Sequence, residues 1–180
     1  MAVYNSYVSI PHSTYAEWKS NTLGNSYDVD GVPISQPYQC WDYASEFWWN
    51  VGFPTGYPIT GGDDARGIWP NRETNKGDKF DLIYNINDLQ VGDIICFSVA
   101  PYGHIGFLDE AYDGGNYFKL LSQNFLNQDY VSVDDYPTVS FEGAFRYKGW
   151  GGVPPTPPSS RSRGKFPWVL YARKLRERRI

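Results

Sequence analysis

The sequence predicts an α+β fold in which helices from the front half pack on an antiparallel sheet built from the back half. Three observations predict it. Apolar residues recur at helical spacing after Cys40, short apolar runs separated by turn residues fill the chain beyond position 93, and there are 18 Gly and 13 Pro. That density of Gly and Pro suits loops and short strands better than a helical bundle. A length of 180 residues suits one domain with a real core.

Thr14-Tyr15-Ala16-Glu17 has the capping-box pattern ahead of Trp18 and predicts a short helix that runs toward Leu23-Gly24. His12, just before it, is assigned to packing or to the surface. From Cys40 the apolar positions Ala44, Phe47, Trp48 and Val51 follow at steps of four, three, one and three, which marks the buried face of a helix that Gly52 and Pro54 end. Residues 54–80 show no period and are expected to form a long loop region of the kind that often borders a site. After the turn at 89–93 the strands are expected at 94–99, 104–112, 117–124, 129–133 and 143–148. Asp113-Gly114-Gly115-Asn116 reads as a hairpin turn between the second and third of these. A three-residue loop there would put His104, Ser122 and Asn124 on one face, whereas a two-residue loop would flip them apart, because strands alternate with period two.

The 7 Trp, 15 Tyr and 10 Phe exceed what a small core needs, so some rings are expected to line a groove. Residues 1–160 carry 8 basic and 19 acidic side chains, and residues 161–180 carry 8 basic and 1 acidic. An acidic body argues against a nucleic-acid ligand, which needs a positive footprint. Residues 151–164, rich in Pro and Ser, read as a stiff linker after a domain at 1–150. In the tail, 165–180, Trp168, Tyr171, Ala172 and Leu175 share a helical face among Arg and Lys, a pattern suited to an anionic surface, whether wall polymer, lipid or another protein. A solvated tail is the other reading. The N-terminus lacks a basic start and an apolar stretch, so no secretory signal is expected, and no run reaches the roughly 20 apolar residues of a membrane span.

Cys40 and Cys96 are the two cysteines. Cys96 lies in an apolar run and reads as a buried structural thiol. Cys40 stands where an extended approach turns into a helix, and the unpartnered amides and positive dipole end of that first turn favour a thiolate. The chain has two histidines, so a catalytic base is either His12 or His104, and Gly103-His104-Ile105-Gly106 at the start of a strand is the better placed. A thiolate attacks an amide carbonyl, and an imidazolium beside it protonates the leaving amine. The Cys40 backbone N–H, with Gln39 nearby, would stabilise the tetrahedral oxyanion. Asn124 is chosen to orient the imidazole, with Ser122 in reserve. Nucleophile first and base later is the order of a papain-like cysteine hydrolase.

Gln39-Cys40-Trp41-Asp42-Tyr43-Ala44, Gly92-Asp93-Ile94-Ile95-Cys96-Phe97, Gly103-His104-Ile105-Gly106 and Gln123-Asn124, in that order, resemble the CHAP family of cysteine, histidine-dependent amidohydrolases and peptidases, bacteriophage lysins especially. The resemblance spans roughly residues 10–150. It implies a papain-like α+β fold and cleavage of peptidoglycan, between glycan and stem peptide (an N-acetylmuramoyl-L-alanine amidase) or within the peptide (an endopeptidase), by Cys40, His104 and Asn124. Many members carry Glu two positions before the Asn, where this chain has Ser122. Some phage members bind calcium through an Asp-x-Asp-Gly stretch and an Asp two residues after the Cys, which implies Asp28, Asp30 and Asp42 as ligands of a structural Ca2+, with no cofactor needed for the chemistry. An Asx-type turn with Asp28 and Asp30 solvated is the competing reading. The expected setting is a phage lysin that reaches the wall from the host cytoplasm by holin-type release, or a virion component. A catalytically inactive wall-binding or tail structural protein on the same scaffold is the alternative, and a cellular amidase acting on a small amide is a third.

Overall fold

The computed structural model describes residues 2–4, 7–29, 38–56, 64–125 and 128–151. Asp30, the segment 152–164 and the tail 165–180 lie outside them. Among the described residues the order is β1 (Ala2–Tyr4), α1 (Tyr15–Thr22), β2 (Ser26–Asp28), α2 (Cys40–Asn50), a 3-10 turn (Ala65–Gly67), α3 (Arg72–Lys76), β3 (Phe80–Ile83), a second 3-10 turn (Ile86–Asp88), β4 (Ile94–Phe97), β5 (His104–Leu108), β6 (Tyr117–Ser122), β7 (Ser132–Pro137) and β8 (Phe141–Tyr147). The strands β3-β8-β4-β5-β6-β7, in that order, form one antiparallel sheet, while β1 and β2 pair in parallel beside it. This is the α+β architecture that the sequence predicts.

Thr14 caps α1 by accepting the Glu17 N–H at 3.1 Å, and the Glu17 carboxylate reaches back one residue further than a capping box requires, to the N–H and hydroxyl of Ser13. Burial of α2 is what fixes the layers. Phe47 and Trp48, both fully buried, pack with Trp18, Tyr43, Phe80, Phe107 and Phe145 between the helices and one face of the sheet. Phe47 lies edge-on to Phe107 at 5.2 Å, and Trp48 stacks on Phe80 at 4.6 Å. Removing one such aromatic side chain costs about 3–5 kcal/mol. His12 is a packing residue: its Nδ1 bonds the Ile10 carbonyl at 2.7 Å and its ring meets the Phe47 edge.

The other face of the sheet holds a second core of Ile95, Phe97, Leu108, Phe118, Leu120 and Tyr136. Tyr136 of β7 and Phe97 of β4 lie 4.4 Å apart although β5 and β6 separate their strands, so the sheet curls around this core.

The segment 54–80 is more ordered than its composition suggests. It contains α3, whose buried Asn75 donates to the Ile68 carbonyl and accepts the Trp48 indole N–H on its own carbonyl. A five-residue helix is too short to display a period. Trp69 from this segment lies across β8 at Gly143, where a Cβ would come within 2.0 Å of the indole.

The turn expected at 113–116 is part of a wider connection. Phe107 faces Leu121 and Leu108 faces Leu120, two residues away from the pairing a three-residue hairpin would give, with the same parity. Asp109 still bonds β6, its N–H donating to the Lys119 carbonyl at 2.7 Å, while its buried carboxylate takes the Tyr15 hydroxyl at 2.7 Å and the Lys19 ammonium at 2.8 Å and ties this end of β5 to α1.

Candidate active site

Cys40 is the first residue of α2 and is buried. The approach to it is held by two side chains. Asp42, in the first turn, accepts the Gln39 N–H at 2.7 Å and the Val29 N–H at 3.1 Å, so one carboxylate ties the exit of β2 to the helix N-terminus. Gln123 does the same from the sheet: its amide accepts the Tyr27 N–H and donates to the Tyr27 carbonyl, both at 2.7 Å, and donates to the Gln39 carbonyl at 3.0 Å. The sequence reading passed over Gln123 in favour of its neighbours. A glutamine closing an apolar strand run is the signal that could have found it, since a buried amide must find partners.

His104 is the first residue of β5 and is buried. Its Nε2 meets the Ser122 hydroxyl at 3.0 Å, and its ring stacks on Tyr136 at 4.7 Å with an interplanar angle of 9°. Gly106 makes this possible, because a Cβ there would fall 2.8 Å from the Ser122 Cβ. Ser122, the reserve in the sequence reading, is the hydrogen-bond partner of the imidazole among the described residues. Asn124 lies two residues on, with φ of 60°, and its N–H bonds the Gln128 carbonyl at 3.0 Å.

Cys40 belongs to the core beneath α2, and His104 leans into the second core. They are linked through β5, because Ile105, the residue after His104, lies in the same core as Cys40. No hydrogen bond joins the sulfur to the ring among the described residues. Cys96, fully buried in β4 opposite Ile105, is a free structural thiol.

The sequence reading expected an environment that lowers the Cys40 pKa, and the structure corrects it. Burial pushes the thiol up to about 12; the N–H groups of Ile105, Trp41 and Cys40 itself oppose that rise without overcoming it, and the Asp42 charge adds to it. Burial likewise lowers the His104 imidazole to about 3. Both groups therefore rest neutral. The Ser122 hydroxyl can give or take the proton of its bond to Nε2, and in the tautomer in which Nε2–H donates, Nδ1 is bare to take a proton.

Of the acidic residues implied as calcium ligands, Asp28 and Asp42 are both buried on the β2–α2 junction, which removes the reading of a solvated Asp28. No group of three or more metal-binding side chains occurs among the described residues.

A second buried acid has a pH consequence. Glu46 of α2 accepts the Val8 N–H at 2.8 Å, its other oxygen has no partner, and burial raises it to about 7. From pH 4.5 to 7 the folded carboxyl keeps a proton that the unfolded chain has lost, so this group lowers stability as pH rises. His104 acts in the opposite sense: from pH 6.5 down to 3 the unfolded chain takes a proton that the folded one refuses, so stability falls as pH drops. Each contributes about 1.4 kcal/mol per pH unit in its window, and the two oppose each other between pH 4.5 and 6.5. Relative to wild type, Glu46→Gln is expected to lose stability more steeply on acidification across that range, and His104→Gln to gain it. Urea unfolding at half-unit pH steps measures both slopes.

With this geometry in view, comparison with known proteins is informative. A CHAP domain model matches residues 27–124. The chain is 32% identical over 149 residues to a D-alanyl-L-alanine endopeptidase of Streptococcus phage B30, an alignment that covers 77% of this chain and 31% of that protein. The chain thus spans about a third of that relative's length. The crystal structure of a wild-type endolysin, LysIME-EF1, superposes with a TM-score of 0.57 at 17% identity, covering 74% of this chain and 62% of that one, and it shares the fold.

Proposed function

This chain belongs to the CHAP domain family, and from that premise we propose that it is a peptidoglycan hydrolase in which Cys40 attacks an amide carbonyl, His104 accepts the thiol proton and returns it to the leaving amine, and Asn124 assists the ring. The observation that carries the proposal is the packing of α2, which Cys40 begins, against β5, which His104 begins, with Cys40 and Ile105 in one core. The Cys40 N–H at the helix start is suited to the oxyanion. The similarity to the phage B30 enzyme, whose name describes an endopeptidase, supports cleavage within the peptide over cleavage at the glycan. Mass spectrometry of digested walls tests both points: new peptide amine termini are expected, a free lactyl carboxyl on the glycan would move the assignment to an amidase, and intact walls would refute it.

Ser122 holds the imidazole ring through Nε2 in this scheme. Ser122→Ala is expected to lower kcat about tenfold to a hundredfold with KM within twofold, Ser122→Thr to retain most activity, and Asn124→Ala to lose less than Ser122→Ala. An Asn124→Ala loss that exceeds the Ser122→Ala loss would transfer the orienting role to Asn124.

A structural calcium ion belongs to the same proposal. Two buried carboxylates on one junction suit a hard cation. Asp28 and Asp42, with Asp30, would hold it, and its charge would fasten the segment ahead of Cys40. Millimolar Ca2+ is expected to raise Tm by several degrees over chelator-treated protein, and Asp28→Asn to abolish the rise.

No helix among the described residues is long and apolar enough to cross a membrane. The proposed setting is a lysin released from the host cytoplasm through a holin-type lesion or carried on the virion, with the basic stretch 165–180 contacting an anionic wall polymer, membrane or virion protein.

A further inference from the structure

A groove of about 530 Å3 opens at the end of the sheet where β4 finishes and β8 begins, lined by Asp64, Arg66, Asn71, Ser98 and Glu142 among others. Two contacts place it beside Cys40 and His104. Arg66 packs on Gly103, the residue before His104, so closely that a Cβ there would lie 2.7 Å from the Arg66 Cγ. On the α2 side, Cys96 of β4 pairs with Gly143, the residue after Glu142, and shares the core beneath α2 with Cys40. A substrate stretched along this end of the sheet would pass from Cys40 into the groove.

Of the charged side chains at the groove, Asp64 and Arg66 satisfy each other, while Arg72 Nε and one Glu142 oxygen have no hydrogen-bond partner among the described residues. Asp64 is tied to Arg66, with Oδ2 accepting Nη2–H at 2.6 Å and Nε–H at 3.0 Å. Arg72, behind the wall, lies over the rings of Trp69 and Tyr84 at 5.2 and 5.7 Å and donates from Nη1 to the Trp69 carbonyl. Glu142 makes no hydrogen bond or ion pair among the described residues, and one of its oxygens is sealed from solvent. Its carboxyl sits above the usual range, through burial that the Arg72 charge offsets in part. Folding has already removed part of its hydration, so a donor arriving there gains more than it would at a fully solvated acid.

We infer that this groove is a substrate subsite in which Glu142 pairs with a primary ammonium group carried by the peptide being cleaved. A carboxylate without a hydrogen-bond partner among the described residues, next to a neutralised Asp64–Arg66 pair, selects a cation over an anion, and the acidic body of the chain favours the same sign. The inference rests on the hydrolase reading and adds to it a residue that sets substrate choice.

The test separates the two. The full chain carrying Cys40→Ala is titrated calorimetrically with a lysine-containing tetrapeptide and with its Nε-acetylated form, so binding is read without turnover. Acetylation is expected to weaken Kd about tenfold or more. Adding Glu142→Gln is expected to produce the same loss for the free amine and none further for the acetylated peptide. Ser98→Lys, which puts a competing cation on the groove wall from an exposed position, is expected to mimic that loss and serves if Glu142→Gln fails to fold. Equal affinity for the two peptides, or an acetylation penalty that persists unchanged in the Glu142 and Ser98 variants, overturns the subsite. Wall digestion by the wild-type chain is scored separately: absent turnover with an intact amine preference would sink the hydrolase reading and leave the subsite standing.

Discussion

Cys40→Ala is expected to reduce the release of new termini from purified walls by on the order of a thousandfold or more, because no other group on the proposed path can form the covalent acyl intermediate. The fold should survive. The sulfur sits at the edge of the aromatic core and bears on the β5 backbone at Ile105, whereas the junction around it is held by Asp42 and Gln123, which the substitution leaves in place. Losing one buried sulfur costs about 1 kcal/mol, a shift of a few degrees in Tm. Wall binding measured by pull-down should persist in the variant. Lysis that survives the substitution would remove Cys40 from the reaction, and a wild-type chain that binds walls and releases nothing would restore the inactive-scaffold alternative.

Gly143→Ala is the stability counterpart. Trp69 is nearly buried, and its indole passes over β8 where a methyl group would sit 2.0 Å from a ring carbon, far inside contact distance. The ring has little room to yield, with Phe145 edge-on at 5.6 Å and Tyr84 at 5.5 Å. Overpacking of this kind costs about 3 kcal/mol, or roughly 10 °C in Tm for a domain of this size. Displacing Trp69 also moves the segment that walls the groove, so peptide binding should weaken along with thermal stability. A Gly143→Ala protein with unchanged Tm would mean that Trp69 is not seated there in solution.

The helix after Cys40 and the strands at 94, 104, 117 and 143 were legible because each shows its own period or an uninterrupted apolar run. β3 and α3 were not, since four and five residues are too few to establish a repeat and their stability comes from Trp48, Asn75 and Trp69 packed from elsewhere. The shared face of His104 and Ser122 was legible as a parity argument, and the two-residue loop that would have separated them is excluded by the register. The tie from the end of β5 to α1 was hidden because the partners of Asp109, Tyr15 and Lys19, lie about ninety residues away in the chain. The ionisation of Cys40 was misjudged for a related reason. A helix terminus is visible in the sequence, whereas the depth to which neighbouring rings bury it is not.

Ser122 is the last residue of β6 and Gln123 follows it directly. One serves the imidazole and the other the backbone leading into α2. The spacing between His104 and the approach to Cys40 is therefore gauged by one covalent step of main chain, about 3.8 Å between α-carbons. A slip of β6 by one residue would exchange the two duties and undo both anchors together, so this edge of the sheet has to keep its register for the halves of the site to remain aligned.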